Sequence, residues 1–148
     1  MAGRTRQQRR LDVLHRIESD ANVWVATSSP DGVPHLVPLS LAWDGSRFVL
    51  ATEARAATAK NIAASGRARL ALDSAEDVVI FDTDAEALSL STAPVELVDL
   101  FTRRAGWDPR AEAGDWVLLL LQPTRVQAWN GVNEIEGRTL MKQTAWLD

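Results

Sequence analysis

Apolar residues first recur at helical spacing, with Leu11, Leu14 and Ile17 on one side of the wheel and Arg9, Arg10 and Arg16 elsewhere around it. One amphipathic helix is expected between Thr5 and Ser19. From Asn22 the pattern changes to runs of strand formers cut by turn signals: NVWVATS, Pro30-Asp31-Gly32, VPHLVPLSLAW, Asp44-Gly45 and RFVLAT. They predict three strands in a meander. The stretch ATEARAATAKNIAASGRARLAL opens as a strand, breaks into small residues and resumes as a strand after Gly66. Thr58 is the expected N-cap of a short helix from Ala59 to about Ser65, with Gly66 as its left-handed stop. RARLAL and DVVIFDTDAEALSLS supply further strands, the latter bent near Thr83-Asp84. Pro94 suits the first turn of the helix PVELVDLFTRRAG, and Gly106 its end. WVLLLLQPTRVQAWNGV reads as two strands or one kinked at Gln122-Pro123, and the tail EGRTLMKQTAWLD as a docked strand or turn.

A mostly antiparallel β-structure with inserted helices, at 148 residues, points to one domain built as a small barrel. Residues 1–20 form the N-terminal helix, 22–136 the barrel with its inserted helices, and 137–148 the tail. A strand with one wet face alternates apolar and polar residues, yet VWVA, LVPLSLAW and WVLLLLQ are apolar at nearly every position. Two short helices cannot shield so much surface, so a homodimer is expected, its outer strand faces meeting their symmetry mates.

Composition narrows the function. The hydrophobic fraction of 46% and charged fraction of 24% are those of an ordinary globular chain, and no apolar run approaches a membrane span. The N-terminus lacks the apolar stretch and cleavage site of a secretory signal, and with no cysteine in the chain a cytoplasmic setting is expected. A net charge of -4 argues against nucleic acid as a partner. Arg4, Arg6, Arg9 and Arg10 form a local basic cluster, read as a solvated arm and helix face rather than an anion site.

No Gly-rich phosphate loop, nucleophile elbow or histidine-carboxylate metal spacing is present, and only His15 and His35 offer imidazole. No side chain is assigned as acid, base, nucleophile or metal ligand. Any difficult electronic step then falls to a bound cofactor. The first turn of the short helix presents free N–H groups and the positive end of its dipole, and Lys60 adds a full charge there. Arg55 stands ready to close over this anion seat. Beside it, the small residues Ser40, Ala51 and Thr52 would let a flat ring approach the backbone of two adjacent strands. A phosphate in the seat and a ring over the strands suit flavin mononucleotide (FMN).

The ordered set in VWVATSSPDGVPHLVPLSLAWDGSRFVLATEARAATAKNIAASGRARLAL resembles the flavin-binding split-barrel family that includes pyridoxamine 5'-phosphate oxidase. The resemblance runs from the opening helix to RVQAWNGVNEIEGRTL and is strongest over residues 22 to 72. It implies a six-stranded antiparallel Greek-key split β-barrel, homodimeric, with two cofactor sites at the subunit interface. It further implies phosphate held at Thr58 and Lys60 with help from Arg55, in the Thr-x-Lys-Asn-Ile stretch that includes Asn61. The ring is expected against Val37, Pro38, Leu39 and Ser40 and against Ala51 and Thr52, with Trp129 of the partner closing the site. The implied activity is hydride transfer to or from a small molecule. Pyridoxamine 5'-phosphate oxidase itself carries a longer C-terminal region whose basic and histidine residues hold the substrate's phosphate, whereas this chain ends GRTLMKQTAWLD, so B6 oxidation is not expected. Relatives of this fold use the deazaflavin coenzyme F420 or bind haem or biliverdin, which leaves two other readings: an F420-dependent reductase, and a flavin or tetrapyrrole carrier without turnover. For iron, His35 is the strand-borne candidate.

Overall fold

The computed structural model describes residues 3–148. Helix α1 (Arg6–Ser19) leads into strands β1 (Asn22–Ser28), β2 (Pro34–Ser40), β3 (Ala42–Trp43) and β4 (Phe48–Glu53), then helix α2 (Ala57–Ser65). Strands β5 (Arg67–Ala71) and β6 (Asp77–Ser89), helix α3 (Val95–Ala105), the long strand β7 (Trp116–Asn130), and β8 (Thr139–Lys142) with β9 (Ala145–Trp146) follow. All strands join one antiparallel sheet of nine, ordered β2-β1-β5-β6-β7-β4-β3, with β8 added to β7 and β9 to β8. The short β3 and the tail hairpin β8-β9 carry it beyond the expected six strands. The sheet curls until β2 comes close to β4 with no hydrogen-bonded ladder between them, so the barrel is split along that seam.

Alternation along the strands sets the inside. On β1, Val23, Val25 and Thr27 are buried while Trp24 and Ser28 are exposed. Phe48, Leu50, Leu70, Phe81, Leu119, Leu121 and Val126 fill the barrel with them. For WVLLLLQ and the end of LVPLSLAW the doubly apolar pattern has a cause other than the expected dimer contact. Helix α3 lies on the outer surface, where Leu97, Val98 and Phe101 pack with Ala42, Val49, Ala51, Leu118 and Leu120 in a second core. One helix thus covers the outer face of β3, β4 and the first half of β7. What stays uncovered is the outer face around β1 and β2, where Trp24 is 37% and Leu36 61% exposed.

The bend in β6 falls one residue from its expected place, as a register shift between Asp82 and Thr83 opposite β7. Strand β7 is continuous, and its irregularity sits at Thr124, whose hydroxyl donates to the Asp82 carbonyl at 3.2 Å. An extra residue of this kind increases local twist and helps the sheet to curl.

Helix α1 begins as expected, with Thr5 as N-cap and a full capping box with Gln8. Its buried face is Arg9, Val13 and Ile17, whereas Leu11 is 61% exposed. Arg9 is buried because its guanidinium donates to the carbonyls of Ala128 at 2.9 Å and Gly137 at 3.1 Å. Nor is the rest of the basic cluster a solvated arm. Arg4 binds Glu134, Asp12 and Asp77, Arg6 donates to the Asp148 carbonyl, and Arg10 stacks 4.7 Å from the Trp146 ring. The N-terminal arginines therefore tie α1 to the C-terminal half of the chain.

Helix α2 starts two residues earlier than expected. Ala56 holds the N-cap position without a side-chain bond, and Thr58 is buried within the first turn rather than capping it. Lying inside the helix rather than before its first residue, Thr58 does not occupy the position from which a hydroxyl caps the leading N–H groups. The stop is as expected, for Gly66 adopts φ 70° and its N–H donates to the Ile62 carbonyl at 2.8 Å. A methyl group there would meet nothing closer than the Ala85 carbonyl at 3.9 Å, so only the left-handed backbone resists it. Gly66→Ala is expected to destabilise the protein by about 1 to 2 kcal/mol and Gly66→Asn by less, as read from urea unfolding.

Candidate functional site

The seam between β2 and β4 leaves backbone groups unpaired. Strand β2 pairs only with β1, and on its β3 side β4 pairs only through Val49 and Phe48. The N–H and C=O groups along the free edges of residues 37–40 and 50–52 consequently have no ladder partner there. Side-chain alternation divides the residues expected to meet a ring. Ser40 shares the outer face with Pro38, and Ala51 joins the outer core under α3. Val37 and Leu39 lie opposite Val25 and Val23 on the inner face, and Thr52 is buried on the same side as Leu50. A ligand on the outer surface would meet the side chains of Pro38 and Ser40 and only the backbone of Val37, Leu39 and Thr52, while α3 covers the Ala51 side chain.

Helix α2 closes one end of the barrel. It buries Thr58, Ala59, Asn61 and Ile62, and the Asn61 amide donates to the Thr27 hydroxyl of β1 at 3.0 Å. Asn61 is thus a strut between helix and barrel. Lys60 points the other way, exposed, with no hydrogen bond or ion pair from its side chain among the described residues. The N-terminus of α2 carries no side-chain cap and no acidic residue in its first turn, so no side chain of the helix start competes for its leading N–H groups. Arg55 is 84% exposed and pairs with Glu53 at 3.1 Å, an arrangement screened by solvent and easily exchanged. As a donor set, an uncapped helix start with an unpaired lysine and an exposed arginine fits a phosphate.

Trp107, which lies outside every element expected from the sequence, stands at the same seam. The Trp107 indole N–H donates to the Ser40 hydroxyl at 3.3 Å. The ring lies edge-to-face with Phe101, centroids 5.1 Å apart, and with Trp116, 5.2 Å apart. The only hint in the sequence is a pair of tryptophans bracketing the polar loop GWDPRAEAGDW. Trp129 opposes Val78 on β6, half-buried on the outer surface of β7, with the Arg138 guanidinium 5.6 Å from its ring. His35 opposes Thr27 on the inner face of β2, away from Ser40.

A cavity of about 600 Å³ lies between Glu53-Ala54-Arg55 and Ala113-Gly114-Asp115, beside the arginine of the anion seat. A larger one, about 990 Å³, opens elsewhere, among Thr27, Arg67, Arg69, Asp82, Arg125 and Lys142. Four cations, Arg67, Arg69, Arg125 and Lys142, line it against two carboxylates, Asp82 and Asp84; Arg69 binds Asp82 at 2.6 Å and Arg67 opposes Asp84, so the cavity keeps an excess of positive charge. None of the residues expected to hold a cofactor lines it. No group of three or more potential metal ligands occurs among the described residues, and none of their helices is long and apolar enough to cross a membrane.

A curled antiparallel sheet split at a seam, with an open helix start nearby, defines the chain as a split-barrel protein of the flavin-binding type of fold. The family model for pyridoxamine 5'-phosphate oxidase matches residues 13–130, and the chain belongs to that family. No curated protein matches the sequence. Among solved structures, an F420 reductase is similar at TM-score 0.61 and 21% identity, covering 76% of this chain and 93% of its own. A pyridoxamine 5'-phosphate oxidase-related, FMN-binding protein from Nostoc punctiforme aligns at TM-score 0.62 and 18% identity, covering 84% and 83%. The heme storage protein of Vibrio cholerae aligns at TM-score 0.69 and 15% identity, covering 83% and 96%. At such identities the likeness is one of fold.

Proposed function

We propose that this chain is a homodimeric flavin-binding oxidoreductase that holds FMN at the β2-β4 seam and exchanges hydride with a small molecule. The observation that carries the reading is the pair of unladdered strand edges, residues 37–40 and 50–52, which offer backbone donors and acceptors to the heteroatom edge of a flat ring. Ser40, half-buried on the outer face of β2, is small enough to let the ring approach that edge. The N-terminus of α2 with Lys60 and Arg55 supplies the phosphate seat. When bound, the flavin supplies the hydride chemistry; the protein seats its phosphate, orients its ring and excludes water from it. Pairing through the exposed outer face that carries Trp24 and Leu36 would cover both, and would set Trp129 against the partner's site. The FMN-binding structure from Nostoc punctiforme supports this choice of cofactor.

A charge-assisted hydrogen bond contributes roughly 1.5 to 3 kcal/mol, so Lys60→Ala is expected to weaken FMN binding about tenfold to a hundredfold in a fluorescence-quenching titration. Unchanged affinity would remove Lys60 from the seat. The same titration with F420 tests the second reading, which the likeness to an F420 reductase favours: tighter F420 binding would make this a deazaflavin enzyme. The heme storage neighbour favours a tetrapyrrole carrier. A haem ligated by His35 would have to enter beside Thr27, on the opposite side of β2 from Ser40, so haem and FMN should not compete if each uses its own face.

A further inference from the structure

We infer that the cavity of about 990 Å³ on the outer face of the sheet binds a small molecule with two separated anionic groups, and that it is a site distinct from the anion seat at α2. Its volume suits a small-molecule ligand. Among the described residues, the basic side chains without a hydrogen bond, ion pair or ring contact are Lys60, Arg67, Arg103, Arg125 and Lys142. Three of these, Arg67, Arg125 and Lys142, line this one cavity. In a chain of net charge -4, uncompensated positive charge is thus gathered in a single place.

The strands fix how the charges are arranged. On β5, Arg67 and Arg69 alternate with the buried Ala68 and Leu70, which puts both arginines on the outer face. Asp84 and Asp82 lie opposite them on β6, and Arg125 of β7 lies opposite Asp82 from the other side. Lys142 ends β8. Because Asp82 is already bonded to Arg69 at 2.6 Å, the groups left to a ligand are Arg67 at one end and Arg125 with Lys142 at the other. Two strand spacings and a two-residue offset set the backbones of Arg67 and Arg125 about 12 Å apart. An anionic group at each end, joined by an uncharged middle over the carboxylates of β6, matches that order.

The backbone is irregular at the same place. Thr124, at the register shift between β6 and β7, lines the cavity together with Gln143 of the β8-β9 turn. Gln143 and Thr144 adopt φ of 49° and 68°, a conformation costly for any residue but glycine and most of all for a β-branched one. The Thr144 N–H donates to the Thr124 carbonyl at 3.0 Å, so the turn that carries Lys142 is fastened to the shift.

Three probes of similar chain length test the site: adipate with two carboxylates, butane-1,4-diol bisphosphate with two phosphates, and hexanoate with one carboxylate. Titrated into isotope-labelled protein at constant ionic strength, the dianions are expected to shift the amide resonances of residues 67–69, 124–125 and 142–143. At least one of them should bind about threefold to tenfold more tightly than hexanoate, the worth of one further contact, and the tighter of the two identifies the anionic group. Arg67→Gln removes one end and the pair Arg125→Gln, Lys142→Gln the other. Each is expected to bring the preference over hexanoate close to one, whereas Arg67→Lys, which keeps the charge, retains it. These side chains are exposed and unpaired, so the midpoint of urea unfolding should not move. Equal binding of all three probes, no saturable shift, a preference kept by both sets of Gln variants, or shifts confined to residues 57–60 would overturn the assignment. The FMN reading stands or falls separately, on the titration of Lys60→Ala.

Discussion

Glu134→Gln is expected to lower the free energy of unfolding at pH 7 by about 3 kcal/mol, and this loss should shrink as the pH falls. Glu134 sits in the turn after β7, 5% exposed, and takes hydrogen bonds from the Arg4 side chain at 2.8 and 3.2 Å. The backbone N–H groups of Arg4 and Asn130 add two more, at 2.6 and 2.8 Å. The Arg4 guanidinium first, then these N–H groups, hold the carboxyl well below its ordinary 4.5, at about 2, against the opposing effect of burial. A depressed carboxylate stabilises the fold fully above its unfolded pKa and ceases to do so as pH falls through its folded one. The contribution of Glu134 is therefore complete above about pH 5, declines between pH 4.5 and 2, and is gone below that window. Gln stands in for the protonated acid, so the stabilities of variant and parent should converge toward pH 2. Urea unfolding at pH 7, 5, 4 and 3 measures this directly. A gap that stays constant down to pH 3 would mean that shape rather than charge holds the turn to Arg4.

That lock marks the limit of what the sequence discloses. The meander was legible because its turns are local: Gly32 and Gly45 adopt φ of 87° and 104°, conformations that the Asp-Gly signals announce. Gly66 and Gly106 likewise end their helices where expected, at φ of 70° and 83°. The burial of Arg9 was not legible, since the Ala128 carbonyl that receives its guanidinium is 119 residues away and no periodicity encodes such a partner. Helical spacing also says that α3 has an apolar face without saying which side of the sheet receives it, and so covered strands looked like a dimer surface. At the candidate site, residues 37–40 and 51–52 were found as a segment, but the seam that frees their backbone arises from closure of the whole sheet. The bond between Trp107 and Ser40 spans 67 residues and had no local trace. Thr58 misled because its cap propensity is local whereas its burial against the barrel end is not.

Closure of the sheet also predicts where truncation will cost most. Phe81→Ala is expected to destabilise the protein by about 3 to 5 kcal/mol. Phe81, 1% exposed on β6, meets Phe48 of β4 edge-to-face with centroids 4.9 Å apart, and Phe48 meets Trp43 of β3 at the same 4.9 Å. Three rings thus cross the interior from β6, in the middle of the sheet, to the β3-β4 end. Leu70 and Val126 flank Phe81 on β5 and β7, and both belong to strand ladders that resist moving inward to fill a void. The cavity should therefore stay open and the full cost appear. Phe81→Leu keeps most of the volume and removes the ring edge, so a loss nearer 1 kcal/mol is expected. Combining it with Phe48→Leu tests the contact itself, because each single change already breaks it, and a coupling of about 0.5 to 1.5 kcal/mol should survive in the double-mutant cycle. Additivity to within about 0.3 kcal/mol would show that the two rings contribute as separate fillers of the barrel and not as a bridge across it.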